Sequence, residues 1–253
     1  MPTTFKKHIV RNKTSRTRIK NLNVAIFFSG RVNAYEYSQY SLLELQRKYN
    51  AKMFMSLNKE KTSPYIERFR NIFSITDEQV YFEKTNNPEW FKPYESNPRV
   101  ANLYSTFYHN KMAFNLIESY MAKHNMQFDI ILFYRADLLV LTKVLDLTIP
   151  KPNTIYIPND VGLINVDPPG VNVFISYGNV NTMKIYSSIV DNLEKYDIET
   201  SHRLYHEGAV LHHLNVNRVQ IHEMPYKISP NENELYDCKL NPRRHDNNDE
   251  YNA

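Results

Sequence analysis

Glycine is scarce in this chain: five in 253 residues, alongside one cysteine and one tryptophan. With a single thiol, Cys238, no internal disulfide can form, which points to a reducing, cytoplasmic setting. No apolar run approaches the roughly 18 residues needed to cross a bilayer, and residues 1–20 lack the apolar centre of a secretory signal. The expectation is therefore no transmembrane segment. So few glycines also leave little room for glycine-rich phosphate loops. No G-x-G-x-x-G pattern follows the first apolar run, and G-x-x-x-x-G-K-[ST] occurs nowhere, which excludes dinucleotide and P-loop chemistry of the usual kinds.

What is abundant is aromatic surface, with 19 Tyr and 13 Phe, on a background of 42% apolar and 23% charged residues. Such a balance builds a globular core rather than a disordered chain, and this length suits one α/β domain. The net charge of +4 is unevenly spread. Residues 1–20 carry seven Lys or Arg and no acid, leaving 24 basic against 27 acidic residues, or −3, in the rest. A basic mobile arm over 1–22 is expected, ahead of a slightly acidic body at 23–229 and a polar tail at 230–253. A nucleic-acid module would need the basic charge on the body, so no nucleic-acid partner is expected. Four histidines, His206, His212, His213 and His222, match no zinc spacing such as H-E-x-x-H.

Along the body, short β-branched and aromatic runs alternate with helical periodicity. Residues 23–28 (NVAIFF) read as a strand closed by Ser29, Gly30 and Arg31. A helix follows over 35–49, then a strand over 51–57 and a helix from Pro64, where proline fits the first turn. A strand at 80–82, a proline-rich loop at 86–99 and a long helix over 102–123 lead into residues 128–141, FDIILFYRADLLVL. This alternation predicts βαβ crossovers and a mainly parallel sheet. After Leu141 it ends. Short strands are expected at 155–157, 171–177, 218–222 and 225–228, with helices over 180–196 and 201–214.

The chain is organised around residues 128–141. Ile130 to Tyr134 read as a strand buried on both faces, and the run stops at Arg135 and Asp137, two apart and so on one side of an extended chain. In an open α/β sheet ligands gather at this strand end.

Six segments, VAIFFSGR (24–31), FYHNKMAFNLI (107–117), FDIILFYRADLLV (128–140), IYIPND (155–160), GVNVFISYGNVNTMKIYSSI (170–189) and HEGAVLHHL (206–214), resemble in order the small GT-A-fold glycosyltransferases of bacterial polysaccharide loci and large DNA viruses. The resemblance implies a nucleotide-binding sheet flanked by helices with a C-terminal acceptor-side part. It further implies transfer of a sugar from a nucleotide-diphosphate sugar, UDP favoured and GDP possible, to a glycan or glycoprotein hydroxyl with Mn²⁺ or Mg²⁺. For a viral chain the setting becomes the host cytoplasm.

By the same resemblance the loop at Gly30 and Arg31 lies near the nucleotide and Lys111 points toward the donor; Arg31, Lys111 and Arg135 can contact the diphosphate, and Ser29 and Asn172 join the nucleotide-sugar site. Asp137 stands at the metal-binding carboxylate, with His222 as a late ligand. Glu207 is the first choice of base for an inverting transfer, with Asp160 and Asp167 behind it; retention and inversion stay open. Two acids of the pattern are replaced: Arg135-Ala136-Asp137 stands for Asp-x-Asp, and Val173 for a relative's Asp. Those replacements keep a second expectation alive, a catalytically idle sugar- or nucleotide-binding protein on the same fold.

Overall fold

In a computed structural model, the described residues are 22–30, 39–83, 98–135, 138–140, 145–158, 170–171, 173–199, 205–224, 228–229 and 238–240. The basic arm, most of the loop at 86–99, Arg31, Asp137, Asp160, Asp167 and Asn172 lie outside them. The elements are β1 (Val24–Gly30), α1 (Gln39–Tyr49), β2 (Lys52–Asn58), α2 (Lys59–Phe73), β3 (Val80–Glu83), α3 (Pro98–His124), β4 (Ile130–Tyr134) and β5 (Leu138–Val140). They continue with β6 (Thr154–Pro158), β7 (Ile175–Gly178), α4 (Val180–Ser187), α5 (Leu193–Glu199), α6 (His206–Val216), β8 (Gln220–Met224), β9 (Ile228–Ser229) and β10 (Cys238–Leu240).

Seven strands form the main sheet in the order β3-β2-β1-β4-β7-β6-β8. Every pairing in it is parallel except the two that β7 makes, with β4 and with β6. The expected parallel sheet is therefore present, with one strand reversed. Because side chains alternate along a strand, each strand feeds two cores. Ile26, Phe28, Met53, Met55, Leu132 and Tyr134 pack with α1 and α2 on one face. Ala25, Phe27, Phe54, Ile131, Phe133 and Ile157 pack with α3, α4 and α6 on the other. The result is a three-layer α/β/α sandwich.

Scarce glycine is offset at the helix ends. Asn50, Ser74 and Asn125 take positive φ (48°, 53° and 47°) directly after α1, α2 and α3. The next residue in each case donates its N–H five residues back, Ala51 to Gln46, Ile75 to Arg70 and Met126 to Met121, the bond that closes a helix through a left-handed residue. Asparagine tolerates that conformation better than most residues.

Two expectations shift. The helix anticipated over 180–196 is interrupted at Ser188, where a 3-10 turn (Ile189–Asn192) separates α4 from α5. Ser188 bonds its own hydroxyl to the Ile185 carbonyl (2.8 Å), a local competitor with the helical ladder. And Cys238–Leu240, within the segment read as a polar tail, form a strand: β10 is the centre of a second sheet ordered β5-β10-β9.

Candidate functional site

The carboxyl ends of β1, β2, β3, β4, β6 and β8 and the start of β7 share one edge of the main sheet, as the parallel and antiparallel registers require. Ser29, Arg135 and Pro158 all reach this edge. Here the chain leaves each strand, and in an open α/β sheet this is the edge at which ligands gather.

On its β3-β2-β1 side the edge is lined by a polar row. Ser29 lies opposite Ser56 in register, and Ser56 opposite Tyr81. Three consecutive residues of α3 meet them in reverse order. Ser29 donates its hydroxyl to Asn110 Oδ1, the Ser56 hydroxyl meets His109 Nδ1 at 2.8 Å, and the Tyr81 and Tyr108 hydroxyls are 3.0 Å apart. Tyr81 also donates to Glu83 (3.3 Å). Ser56, His109 and Asn110 are 2% exposed or less, so their hydrogen bonds are needed to offset burial. Burial pushes the Tyr81 and Tyr108 phenols up from their ordinary range. None of the three α3 residues was singled out from sequence. The available signal was Asn110 standing in an otherwise apolar stripe with Phe107, Phe114 and Ile117.

On the β4-β7 side two backbone hydrogen bonds draw three separate motifs together. Arg135 donates its N–H to the Phe174 carbonyl (2.9 Å), and Val171 donates to the Glu207 carbonyl (3.2 Å). The strand-end arginine, the segment 170–174 and the first turn of α6 thus form one wall. Gly170 makes the approach possible: a Cβ there would lie 2.6 Å from Glu207 Cβ and 3.1 Å from the Tyr205 hydroxyl. That separation is far inside van der Waals contact, so only glycine fits without displacement. His206, beside Glu207, meets the Thr106 hydroxyl at 3.3 Å, which ties the same turn to α3. The Arg135 guanidinium lies over the Phe174 ring, 4.4 Å from its centre, and Arg135 is half-buried. Such stacking holds the guanidinium plane against the aromatic face.

Under this wall lie the buried hydroxyls of Ser176 and Tyr186, and those of Thr182 and Ser187, which have no hydrogen-bond partner among the described residues. Burial raises the Tyr186 phenol far above its usual range. Lys111 is placed on the flank of α3, where its ammonium pairs with Asp191 at 2.6 Å. His222 is exposed on the edge strand β8 and packs on Tyr156, 4.7 Å between ring centres. Tyr156 belongs to the core on the α1-α2 side of the sheet, opposite the face that carries Ser29 and Asn110. Among the described residues no group of three or more His, Cys, Asp or Glu is arranged to hold a metal ion. No helix among them is long and apolar enough to cross a membrane.

No protein-family model and no curated protein sequence matches the chain. Solved structures do. Mouse xyloside xylosyltransferase 1, in its apo form, matches with a TM-score of 0.50 at 11% identity, over 88% of this chain and 98% of that one. Weaker likenesses are a galactosyltransferase, LgtC, solved with donor and acceptor sugar analogs (TM-score 0.49, 13% identity, 86% and 87% covered), and a glycosyltransferase involved in glycosylation of the PBCV-1 major capsid (0.45, 10%, 86% and 92%). The fold is a mixed α/β sandwich whose polar wall gathers at one sheet edge. It is the GT-A fold of glycosyltransferases.

Proposed function

We propose that the protein is a glycosyltransferase that moves a sugar from a nucleoside-diphosphate sugar, UDP favoured over GDP, to a hydroxyl of a glycan or glycoprotein. The observation that carries this reading is the pair of backbone bonds that joins Arg135, the 170–174 segment and Glu207 at the ligand-binding edge. A nucleotide-sugar donor has two demands, and the edge offers a side for each. Ser29, Gly30 and Arg31, where the chain leaves β1, serve the nucleotide. Arg135 serves the diphosphate through its bidentate fork, and Lys111 would join it by leaving Asp191.

In the transfer the bond from the anomeric carbon to the diphosphate oxygen breaks, and a bond from the acceptor oxygen to that carbon forms. Negative charge accumulates on the departing nucleoside diphosphate, and fixed cations at that spot lower the barrier. The acceptor hydroxyl gives up its proton, and Glu207 is the carboxylate beside the wall that takes it. Asn172 would serve the sugar, and Asp160, next but one after β6 in sequence, is a second candidate for the base. Asp137, two residues past Arg135, would hold Mn²⁺ or Mg²⁺ together with diphosphate oxygens. When bound, the cation supplies further charge neutralisation of the leaving group. With His222 on the opposite face, Asp137 is the one protein ligand this reading uses.

A melting-temperature screen of UDP-, GDP- and CMP-sugars, each with Mn²⁺, Mg²⁺ or chelator, tests the proposal. A ligand at a hundredfold its Kd stabilises by about 2.7 kcal/mol, so one nucleotide class should raise Tm clearly. No shift with any of them contradicts the reading. Arg135 in the place of an acid motivates one rival, a binding protein without turnover. It requires that the nucleotide which shifts Tm be left intact, with neither transfer nor donor hydrolysis, after prolonged incubation with acceptor sugars.

A further inference from the structure

The second sheet is built around its C-terminal strand. β10 pairs antiparallel with β5, Leu240 opposite Leu138 and Cys238 opposite Val140, and parallel with β9, Cys238 opposite Ile228 and Lys239 opposite Ser229. In the order β5-β10-β9 the outer strands share no ladder, so each is held in this sheet through β10 alone.

The two outer strands are anchored at distant points of the main sheet. Three residues, Arg135, Ala136 and Asp137, separate the end of β4 from the start of β5. Three also separate the end of β8 from the start of β9. β4 and β8 are separated by β7 and β6, three strand spacings or about 14 Å, whereas β5 and β9 are two spacings or about 10 Å apart. The second sheet therefore ties the chain that follows β4 to the chain that follows β8. Its strands are two or three residues long, too short to hold without each other.

We propose that Cys238–Leu240 is a positioning element of the donor site: by pinning Leu138–Val140 it fixes the course of the chain that leaves Arg135, and with it the affinity for a nucleoside diphosphate. The inference rests on the donor site proposed above. It gives the C-terminal segment, more than 100 residues from Arg135 in sequence, a part in ligand binding that no motif announces.

Backbone substitution in the full-length chain tests it. Lys239→Pro removes the N–H of the middle residue of the centre strand, which has a ladder on either side, and Lys239→Ala keeps it. Amide hydrogen exchange is read at 138–140 and at 130–134, and affinity is read by titrating UDP and GDP, each with Mn²⁺. With Lys239→Pro, exchange at 138–140 is expected to quicken at least about tenfold while 130–134 stays as in the wild type. The Kd of the nucleotide that binds should rise by about tenfold, as is usual when a support behind a ligand-holding group is lost. Lys239→Ala should restore both. Unchanged exchange at 138–140 overturns the pinning, and faster exchange with an unaltered Kd overturns the positioning role. A wild-type chain that binds neither nucleotide removes the proposed donor site instead, and the affinity role of β10 falls with it, whatever the exchange data show about pinning.

Discussion

The β3-β2-β1 half of the sheet and the β4-to-β8 half reach the same edge by different means. In the first, all strands run one way, and α3 meets their ends through side chains: Asn110 on Ser29, His109 on Ser56, Tyr108 on Tyr81. In the second, β7 runs backwards, and the wall is joined by main-chain bonds, Arg135 to Phe174 and Val171 to Glu207. The first arrangement is stiff because its polar groups are matched, with Ser56, His109 and Asn110 buried among them. The second depends on close backbone approach, which a single added carbon at Gly170 would disturb. The proposed transfer would need both properties, a fixed seat for the nucleotide and a finely set distance between leaving group and base.

The largest effect is expected where the approach is closest. Gly170→Ala places a Cβ against Glu207 and should cost about 1–3 kcal/mol of stability. Displacing Glu207 by even about 1 Å should lower the transfer rate on the order of a hundredfold, with donor affinity nearly kept. A Gly170→Ala protein with wild-type turnover would dissolve the contrast between the halves. On the other side, Asn110→Ala strands the Ser29 hydroxyl. Chemical denaturation should report a loss of about 1–3 kcal/mol, and donor affinity should weaken while turnover of bound donor holds. A change in turnover without a change in affinity would reverse the assignment of the two halves.

The smallest effect is a pH dependence. His213 of α6 is buried, and burial lowers its pKa from the ordinary histidine value. Its ring meets the Tyr196 hydroxyl at 2.8 Å and the Ile185 carbonyl at 2.7 Å. The unfolded chain binds a proton here more readily than the folded one, so the stability this site contributes is complete above the unfolded pKa and is lost as pH falls through the depressed folded pKa. Denaturation curves at pH 7.5 and 5.5 should show lower stability at the acid end, and His213→Gln should flatten that difference. An undiminished difference in the variant would assign it to other groups.

The first half was legible in the sequence because its signals are local. Val24–Gly30 and Lys52–Asn58 are apolar runs bounded by polar residues, as is Ile130–Tyr134 where the second half begins, and the helices between them carry apolar stripes. Proline at 64 invited a later helix start than Lys59, an error of one turn and a half. The second half was only partly legible. The reversal of β7 is a matter of which neighbour Ile175–Gly178 pairs with, and periodicity is silent about direction. The strand at Cys238–Leu240 finds its register with Leu138–Val140 across a long sequence gap, and three residues show no alternation. The site divided the other way round. Arg135, in the second half, stood out as a charge ending a buried run, whereas Asn110 and His109, in the first, were hidden inside a long helix, since their partners Ser29 and Ser56 are named only by the fold.

The central claim is that this edge seats a nucleoside diphosphate, with Arg135 as its cation. Isothermal titration of UDP and GDP with Mn²⁺ into the wild-type and Arg135→Ala proteins tests it most directly. The account predicts binding of one nucleotide to the wild type and a loss of about 2–5 kcal/mol in the variant, the usual cost of removing one partner from a hydrogen-bonded charge pair that binding buries. Equal affinity in the two proteins would contradict it.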